Sequence, residues 1–219
     1  MSSLKSKLLR IKLLIPITLL LTTCVAVEAK TPTCLIKVQL QGGQSASGSG
    51  TAYHKTNEGV YVLTCKHITR DAQVVTFQDC NSQRCKMISY IPVTTIFEHG
   101  TYSAWIFTVH PTEDLALAFI PFRGPKLGFF TLPVASFTPN PGEPCLSQGH
   151  PYGQGLITLR GTILANNSLS YPLQLGMSGG AVFQGRRIVG VGVATDEVSG
   201  VFVPAHVIRD FTQRAYVFQ

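Results

Sequence analysis

The chain has 219 residues, 45% of them hydrophobic and 13% charged, with a formal net charge of +7. That suits one globular unit of one or two subdomains with ample apolar material for a core. The basic balance does not point to nucleic acid, because past the N-terminus no Lys/Arg run or stacked aromatic pattern remains.

The N-terminus is read as lying outside the fold. Lys5, Lys7, Arg10 and Lys12 form a basic head, and Leu13 to Val27 is an apolar run broken by Pro16 and threonines. Val27-Glu28-Ala29 then offers small residues at the spacing a signal peptidase accepts, so residues 1–29 read as a secretory signal peptide cleaved before Lys30. Cleavage removes four basic residues and one acidic one, and the net charge falls to +4. An anchor retained through residues 13–27 is the alternative, although that run is shorter than the about 20 residues a spanning helix needs. A lipidated Cys24 is disfavoured by the bulk of Thr23 before it. The expected location is secreted or extracytoplasmic, in a periplasm or at a cell surface, with no membrane contact after cleavage.

Six cysteines become five on cleavage: Cys34, Cys65, Cys80, Cys85 and Cys145. Export permits disulfides. Cys80 and Cys85 bracket the short polar loop Asn81-Ser82-Gln83-Arg84 and are the expected pair. The other three leave at least one free thiol. A zinc site at Cys80 and Cys85 is the competing reading, but no second Cys or His pair lies at ligand spacing. No metal and no cofactor are expected.

Twenty glycines, thirteen prolines and many Val, Ile, Thr and Phe favour a β-rich fold with many turns. In chain order, a first strand is expected over Leu35–Leu40. Gln41–Gly50 reads as a Gly/Ser loop, which cannot be a phosphate-binding loop without a following Gly-Lys-Ser/Thr and helix. Strands Thr51–His54 and Gly59–Thr64 flank a hairpin turn, and the second runs into Thr64-Cys65-Lys66-His67-Ile68. Further strands are expected at Val74–Phe77, Met87–Ile91 and Ala104–Val109. Asp114 then stands at the mouth of the apolar strand Leu115–Ile120. Pro121–Pro144 is rich in Pro and Gly and reads as the crossing between two halves. The second half has strands at Cys145–Ser147, Leu156–Leu164, Ala181–Phe183, Ile188–Val193 and Val201–Val203. Asn166-Asn167-Ser168 is a glycosylation sequon, relevant only in a eukaryotic host. A short helix over His206–Arg214 ends the chain.

Between two of these strands lies Gly176-Met177-Ser178-Gly179-Gly180. Glycines leave the serine hydroxyl uncrowded and let the backbone bring its own N–H groups close to whatever the hydroxyl touches. Acyl transfer needs a nucleophile with N–H donors aimed at the oxyanion it creates. Ser178 is a poor nucleophile at neutral pH and needs a base. His67, at the end of a buried strand, can supply one, since an imidazole has an unperturbed pKa of about 6.5. Asp114 would fix the imidazole tautomer and stabilise the imidazolium. The N–H groups of Gly176 and Ser178 would form the oxyanion hole. A single His is by default a surface or core residue, and a single Gly-Ser cluster a turn. The three together carry the weight.

Thr64-Cys65-Lys66-His67, Asp114-Leu115-Ala116-Leu117 and Gly176–Gly180 resemble the three signature blocks of trypsin/chymotrypsin-like serine proteases. Gly48-Ser49-Gly50-Thr51-Ala52, Gly149-His150-Pro151-Tyr152-Gly153 and Val203-Pro204-Ala205-His206-Val207-Ile208 resemble bacterial HtrA-type and glutamyl-endopeptidase-type members. The resemblance covers residues 35–212. It implies an all-β fold of two six-stranded antiparallel barrels, over about 33–122 and 128–205, with the site between them and a helix at about 205–214. It implies a serine endopeptidase acting on protein or peptide substrates as a monomer, with no PDZ-controlled oligomer. Cys65 and Lys66 depart from the residues usual before the histidine, and Cys65 is expected to be a buried thiol or disulfide partner. Met177 replaces the usual Asp or Asn and is expected to change the leaving-group side. By the same resemblance the first substrate pocket is walled by Tyr171, Pro172 and the strand carrying Val191, Gly192 and Val193. With neither an acid before the serine loop nor a histidine at Gly192, an apolar or small side chain is expected there, Asp196 being the one nearby acid. The alternative function is a catalytically inactive binding protein on the same scaffold.

Overall fold

The strands grow from the runs of β-branched and aromatic residues, and the close packing of glycines decides how they meet. The computed structural model describes residues 31–80, 85–122, 128–195 and 198–217, so residues 1–29 and Asp196 lie outside it. Its first half holds β1 (Thr33–Gln39), β2 (Ser45–Lys55), β3 (Gly59–Thr64), β4 (Val75–Cys80), β5 (Cys85–Phe97), β6 (Gly100–Val109) and β7 (Ala116–Pro121). They pair in the order β1-β2-β3-β7-β6-β5, and β5 returns to β1 through Leu35 opposite Ile96, which closes a six-stranded antiparallel barrel. β4 is added outside it, on the free part of β5.

β3 is buried at all six positions, so both of its faces are covered. Ile36, Val62, Leu63 and Leu117 are all fully buried in the same cluster. Ser45–Gly50, expected as a loop, is instead the first half of β2 and pairs residue for residue with β1. The reason is spatial. A Cβ on Gly50 would lie 2.5 Å from Ile36 Cδ1 and 2.8 Å from Val62 Cγ1, and one on Gly48 would lie 2.8 Å from Ile68 Cγ2. These glycines mark close approach within a strand, where composition alone suggests a flexible connection.

The second half holds β8 (Pro144–Gly149), β9 (Ile157–Thr162), β10 (Ala181–Gln184), β11 (Arg187–Thr195) and β12 (Gly200–Pro204), paired in the order β12-β11-β10-β8-β9. The gap between β9 and β12 is spanned by an extended segment. Ser168 bridges Val201, Leu169 bridges Ile163, and the Gly200 N–H donates to the Tyr171 carbonyl at 2.7 Å. This segment does the work of a sixth stave without a regular ladder, because left-handed Asn166 and Asn167 precede it and Pro172 follows. The crossing 128–143 lays Phe129 and Leu132 on the first core and Ala135 on the second. α1 (Ala205–Val217) buries Ile208 and Phe211 in a cluster that also takes in Ala181, Phe183 and Val191, so one apolar core runs across both halves.

Cys34, Cys65 and Cys145 are free and buried. Cys80 and Cys85 face each other as the last register pair of the β4–β5 hairpin, and their side chains lie outside the described residues. Among the described residues no helix is long and apolar enough to cross a membrane.

Leu117 is fully buried at the centre of the barrel. Leu117→Ala should lower the unfolding free energy by about 2–5 kcal/mol. Urea melts of the two proteins would check this, and a difference within error would mean that the barrel collapses around the gap.

Candidate active site

β3 ends at Thr64, and the chain turns through Cys65 and Lys66 into a single tight turn, His67–Thr69. The turn is closed by the Arg70 N–H on the His67 carbonyl and by the Thr69 hydroxyl on the Lys66 carbonyl. Asp114 comes from the loop between β6 and β7. Its Oδ1 accepts the His67 main-chain N–H at 2.7 Å, and its Oδ2 lies 2.5 Å from His67 Nδ1. Both carboxylate oxygens are thus engaged by one residue, and the imidazole presents Nδ1 to the acid. Burial pushes the Asp114 carboxyl up, but the hydrogen bonds and charge of His67, helped by the Lys66 N–H, together bring it below the usual carboxylate range. Asp114 is therefore ionised at neutral pH, and His67 Nε2 is left as the basic edge. Lys66, the unexpected residue before the histidine, ties the two loops together: its ammonium donates to the His110 carbonyl at 3.0 Å and the Pro111 carbonyl at 3.4 Å.

Ser178 lies in the loop before β10, and three glycines around it are required by contact. Gly176 and Gly179 have φ of +93° and +90°. A Cβ on Gly179 would meet the Ser49 carbonyl oxygen at 2.0 Å, and one on Gly180 the Gln148 carbonyl oxygen at 1.9 Å. The same Cβ on Gly179 would also lie 3.1 Å from Cys65 N, so the serine loop sits directly against the segment that leads to His67.

Ser49 of β2 clamps this loop to the first barrel. Its N–H donates to the Ser178 carbonyl at 2.8 Å, and its hydroxyl donates to the Gly176 carbonyl at 2.8 Å while accepting the His150 N–H. Its own carbonyl accepts the Thr64 hydroxyl at 2.7 Å. Ser49 is fully buried. Sequence reasoning placed it in a resembling block but gave it no role. The available signal was a serine held between two glycines in a stretch that pairs as a strand. Cys65 adds a second tie, its thiol donating to the Gly192 carbonyl at 3.1 Å. Burial, and then the Asp114 charge, hold that thiol well above the ordinary cysteine range, so it is no nucleophile. Cys65, His67 and Asp114 bring three metal-donor atoms within 4.8 Å of one another. Each of the three is already engaged with a neighbour or with the backbone.

The loop also presents donors. Among the described residues, neither the Gly176 N–H nor the Ser178 N–H has an acceptor. The carbonyls of their own peptide groups are held from the other side, Leu175 O by the Tyr152 N–H at 2.7 Å and Met177 O by the Gly180 N–H at 3.0 Å. In a trans peptide the two groups point in opposite directions, so these bonds fix where each N–H points. Met177, expected to change the leaving-group side, is 1% exposed and packs into the second core. The Ser178 hydroxyl donates to the Val193 carbonyl at 3.1 Å.

Of the residues expected to wall the first pocket, Val191 is fully buried in the shared core and Val193 is partly exposed beside Ser178. Pro172 is exposed. Tyr171 is half-buried with its hydroxyl 2.7 Å from Ser147 Oγ, turned into the second sheet. Gly192 faces Leu173: a Cβ there would lie 2.6 Å from Leu173 Cδ1, and one on Gly200 would lie 2.7 Å from Leu173 Cγ. Leu173 and Gly200 were missed by sequence reasoning, because only pairing β11 with β12 brings them together. A groove of about 540 Å³ lies on the first barrel among Tyr90, Trp105, Phe122 and Phe129. No acid–base pair lines it, so the chemistry is located by the polar constellation and not by groove size.

Comparison with known proteins agrees with this fold. The sequence model of the trypsin-like peptidase domain matches residues 48–193. Among solved structures, a serine endoprotease from Yersinia pestis superposes with a TM-score of 0.66 at 21% identity, over 84% of this chain and 63% of that one. An HtrA-type protease, AlgW, with a tripeptide, gives 0.64 at 18% identity, over 84% of this chain and 60% of that one. The chain thus spans less than two thirds of the length of either, and at these identities they speak for the fold. No curated protein matches the sequence.

Because the folded-state carboxyl of Asp114 lies below its unfolded value of about 3.9, its contribution to stability is present above that pH and is lost as pH falls through the folded value. The unfolding free energies of wild type and Asp114→Asn should therefore converge between about pH 5 and pH 2. A gap that stays constant with pH would show that folding does not lower the Asp114 carboxyl.

Proposed function

Since the chain belongs to the trypsin-like peptidase domain family, we propose that it is an exported serine endopeptidase working through His67, Asp114 and Ser178. The observation that carries this is the His67–Asp114 couple, closed by two short hydrogen bonds and mounted just after Thr64 and Cys65, the residues that lie against the loop holding Ser178. In this reading, Ser178 Oγ attacks the scissile carbonyl as its proton passes to His67 Nε2, and Asp114 holds the imidazolium that forms. The oxyanion meets the Gly176 and Ser178 N–H groups, each worth about 3–4 kcal/mol to the transition state. Collapse breaks the C–N bond, and His67 returns the proton to the departing amine. Water then repeats the sequence on the acyl-enzyme: His67 takes its proton, the oxygen attacks the ester carbon, and Ser178 leaves with the proton.

Specificity follows from Leu173. Its side chain fills the space between Gly192 and Gly200, where a deeper pocket would otherwise receive a long side chain. That supports cleavage after a small or apolar residue. Export supports a disulfide at Cys80 and Cys85, which stand opposite each other in register. N-terminal sequencing and intact mass of the secreted protein test both, with Lys30 at the start and a mass two hydrogens below the reduced chain.

A fluorophosphonate probe should label the wild type and leave Ser178→Ala unlabelled. Asp114→Asn should lower kcat by about 10⁴ through the wrong tautomer. A folded wild type that takes no label would favour a binding protein on this scaffold. In a peptide library, Leu173→Ala should shift the preferred residue before the cut toward Leu, Met and Phe. A wild-type preference for Arg, Lys or Glu would overturn the specificity reading, and an unchanged profile would remove Leu173 from the pocket wall.

A further inference from the structure

The loop joining β6 to β7 is organised by one residue for which the reaction has no use. The His110 N–H donates to the Leu115 carbonyl at 2.8 Å, and the His110 carbonyl accepts the Lys66 ammonium at 3.0 Å. Its ring Nδ1 faces the Glu113 N–H at 2.9 Å and the Thr112 N–H at 3.3 Å. The ring also meets Phe211 of α1 edge to face, 5.2 Å between centroids. We propose that His110 is a positioning residue for Asp114: its Nδ1 serves as the internal acceptor of the turn 110–115 and so sets where the Asp114 carboxylate meets His67. The proposal rests on the serine-protease reading of the site.

The physical case starts from the loop's two fixed ends. Leu115 is fully buried, and the His110 ring is held against Phe211. Between them, Pro111 and Thr112 are exposed and offer no packing. The ring nitrogen takes the two N–H groups just before Asp114, alongside the Leu115 N–H donating to the Glu113 carbonyl at 2.9 Å and the Lys66 ammonium on the His110 and Pro111 carbonyls. The Glu113 peptide leads directly into Asp114, so fixing its N–H fixes the backbone that carries the carboxylate. Bonds of 2.5 and 2.7 Å to His67 tolerate only small displacements of that backbone. Accepting at Nδ1 requires a neutral ring with its proton on Nε2. Glu113, Asp210 and Arg214 are the charged groups that share the groove between this loop and α1. An Asn side chain makes the same kind of turn through its Oδ1, which provides a rescue that a purely space-filling role would not show.

The test compares steady-state kinetics on a peptide substrate for wild type, His110→Ala and His110→Asn, with folding checked by thermal melts. His110→Ala should lower kcat by about tenfold to a hundredfold while KM stays at the wild-type value, as expected for a misplaced catalytic group. His110→Asn should recover most of the lost kcat. The proton shared by His67 Nδ1 and Asp114 should move upfield in the NMR spectrum of the Ala variant and return in the Asn variant. Unchanged kcat in His110→Ala, an Asn variant no better than Ala, or a loss confined to KM would each overturn the inference. If His110→Ala does not fold, His110→Gln takes its place, since its acceptor lies one bond too far out, and equal kcat in the Asn and Gln variants overturns the proposal. A wild type that neither cleaves nor takes the fluorophosphonate sinks the protease reading and this inference with it. An active wild type with an indifferent His110 sinks the inference alone.

Discussion

The two halves of this protein meet through the buried polar atoms of Ser49, and the geometry of the site depends on that clamp. Its N–H and hydroxyl hold the carbonyls of Ser178 and Gly176, while its own carbonyl holds Thr64 at the end of the strand that leads to His67. One residue of the first barrel thus sets the serine loop and the histidine strand relative to each other. Such a junction works because every polar atom of Ser49 has a partner. A buried donor or acceptor left alone costs about 1–3 kcal/mol, so this arrangement resists alternatives. The glycines are the other half of the constraint: Gly179 and Gly180 pass so close to the carbonyls of Ser49 and Gln148 that no side chain fits.

Held this way, the site acquires its chemistry from pairings that oppose burial. Asp114 is half-buried, which favours its neutral form, yet the bonds from His67 and the Lys66 N–H win and keep it charged. The free N–H donors of the serine loop are directed from behind. Tyr152 in its left-handed turn and Gly180 each hold the carbonyl of the peptide group whose N–H faces outward. Lys66 belongs to the same logic, since its ammonium spans from the histidine turn to the aspartate loop. A residue that looks like a departure in the sequence acts as a tether in the fold.

Much of this was legible beforehand. The strand ends that carry His67 and Asp114 could be read from Gly59–Thr64 and Leu115–Ile120, because uninterrupted apolar runs of that length have few alternatives. The serine loop was legible because glycines flanking a serine ahead of a strand restrict what the backbone can do. Other parts were not. Ser45–Gly50 reads as a loop because Gly and Ser have low strand propensity, and only the tight spacing against Ile36 and Val62 turns it into half of β2. Met177 stood out as a departure from the usual Asp or Asn, and its burial in the second core could not be read from its position in the loop. Tyr171 was placed in the pocket wall by analogy, whereas its hydroxyl finds Ser147 in the second sheet.

The sequence by itself determined the local elements and the chemical inventory: an apolar strand before His67, an acid at the head of another, and a serine framed by glycines. Those depend on backbone propensity and on residue type, which are local properties. Only the tertiary structure decided which groups meet. The hydrogen bonds of Ser49, the filling of the Gly192–Gly200 gap by Leu173 and the turn built on His110 join residues through strand register and the packing of two sheets. No residue type or spacing encodes those distances, because they emerge only when both halves are packed into one core.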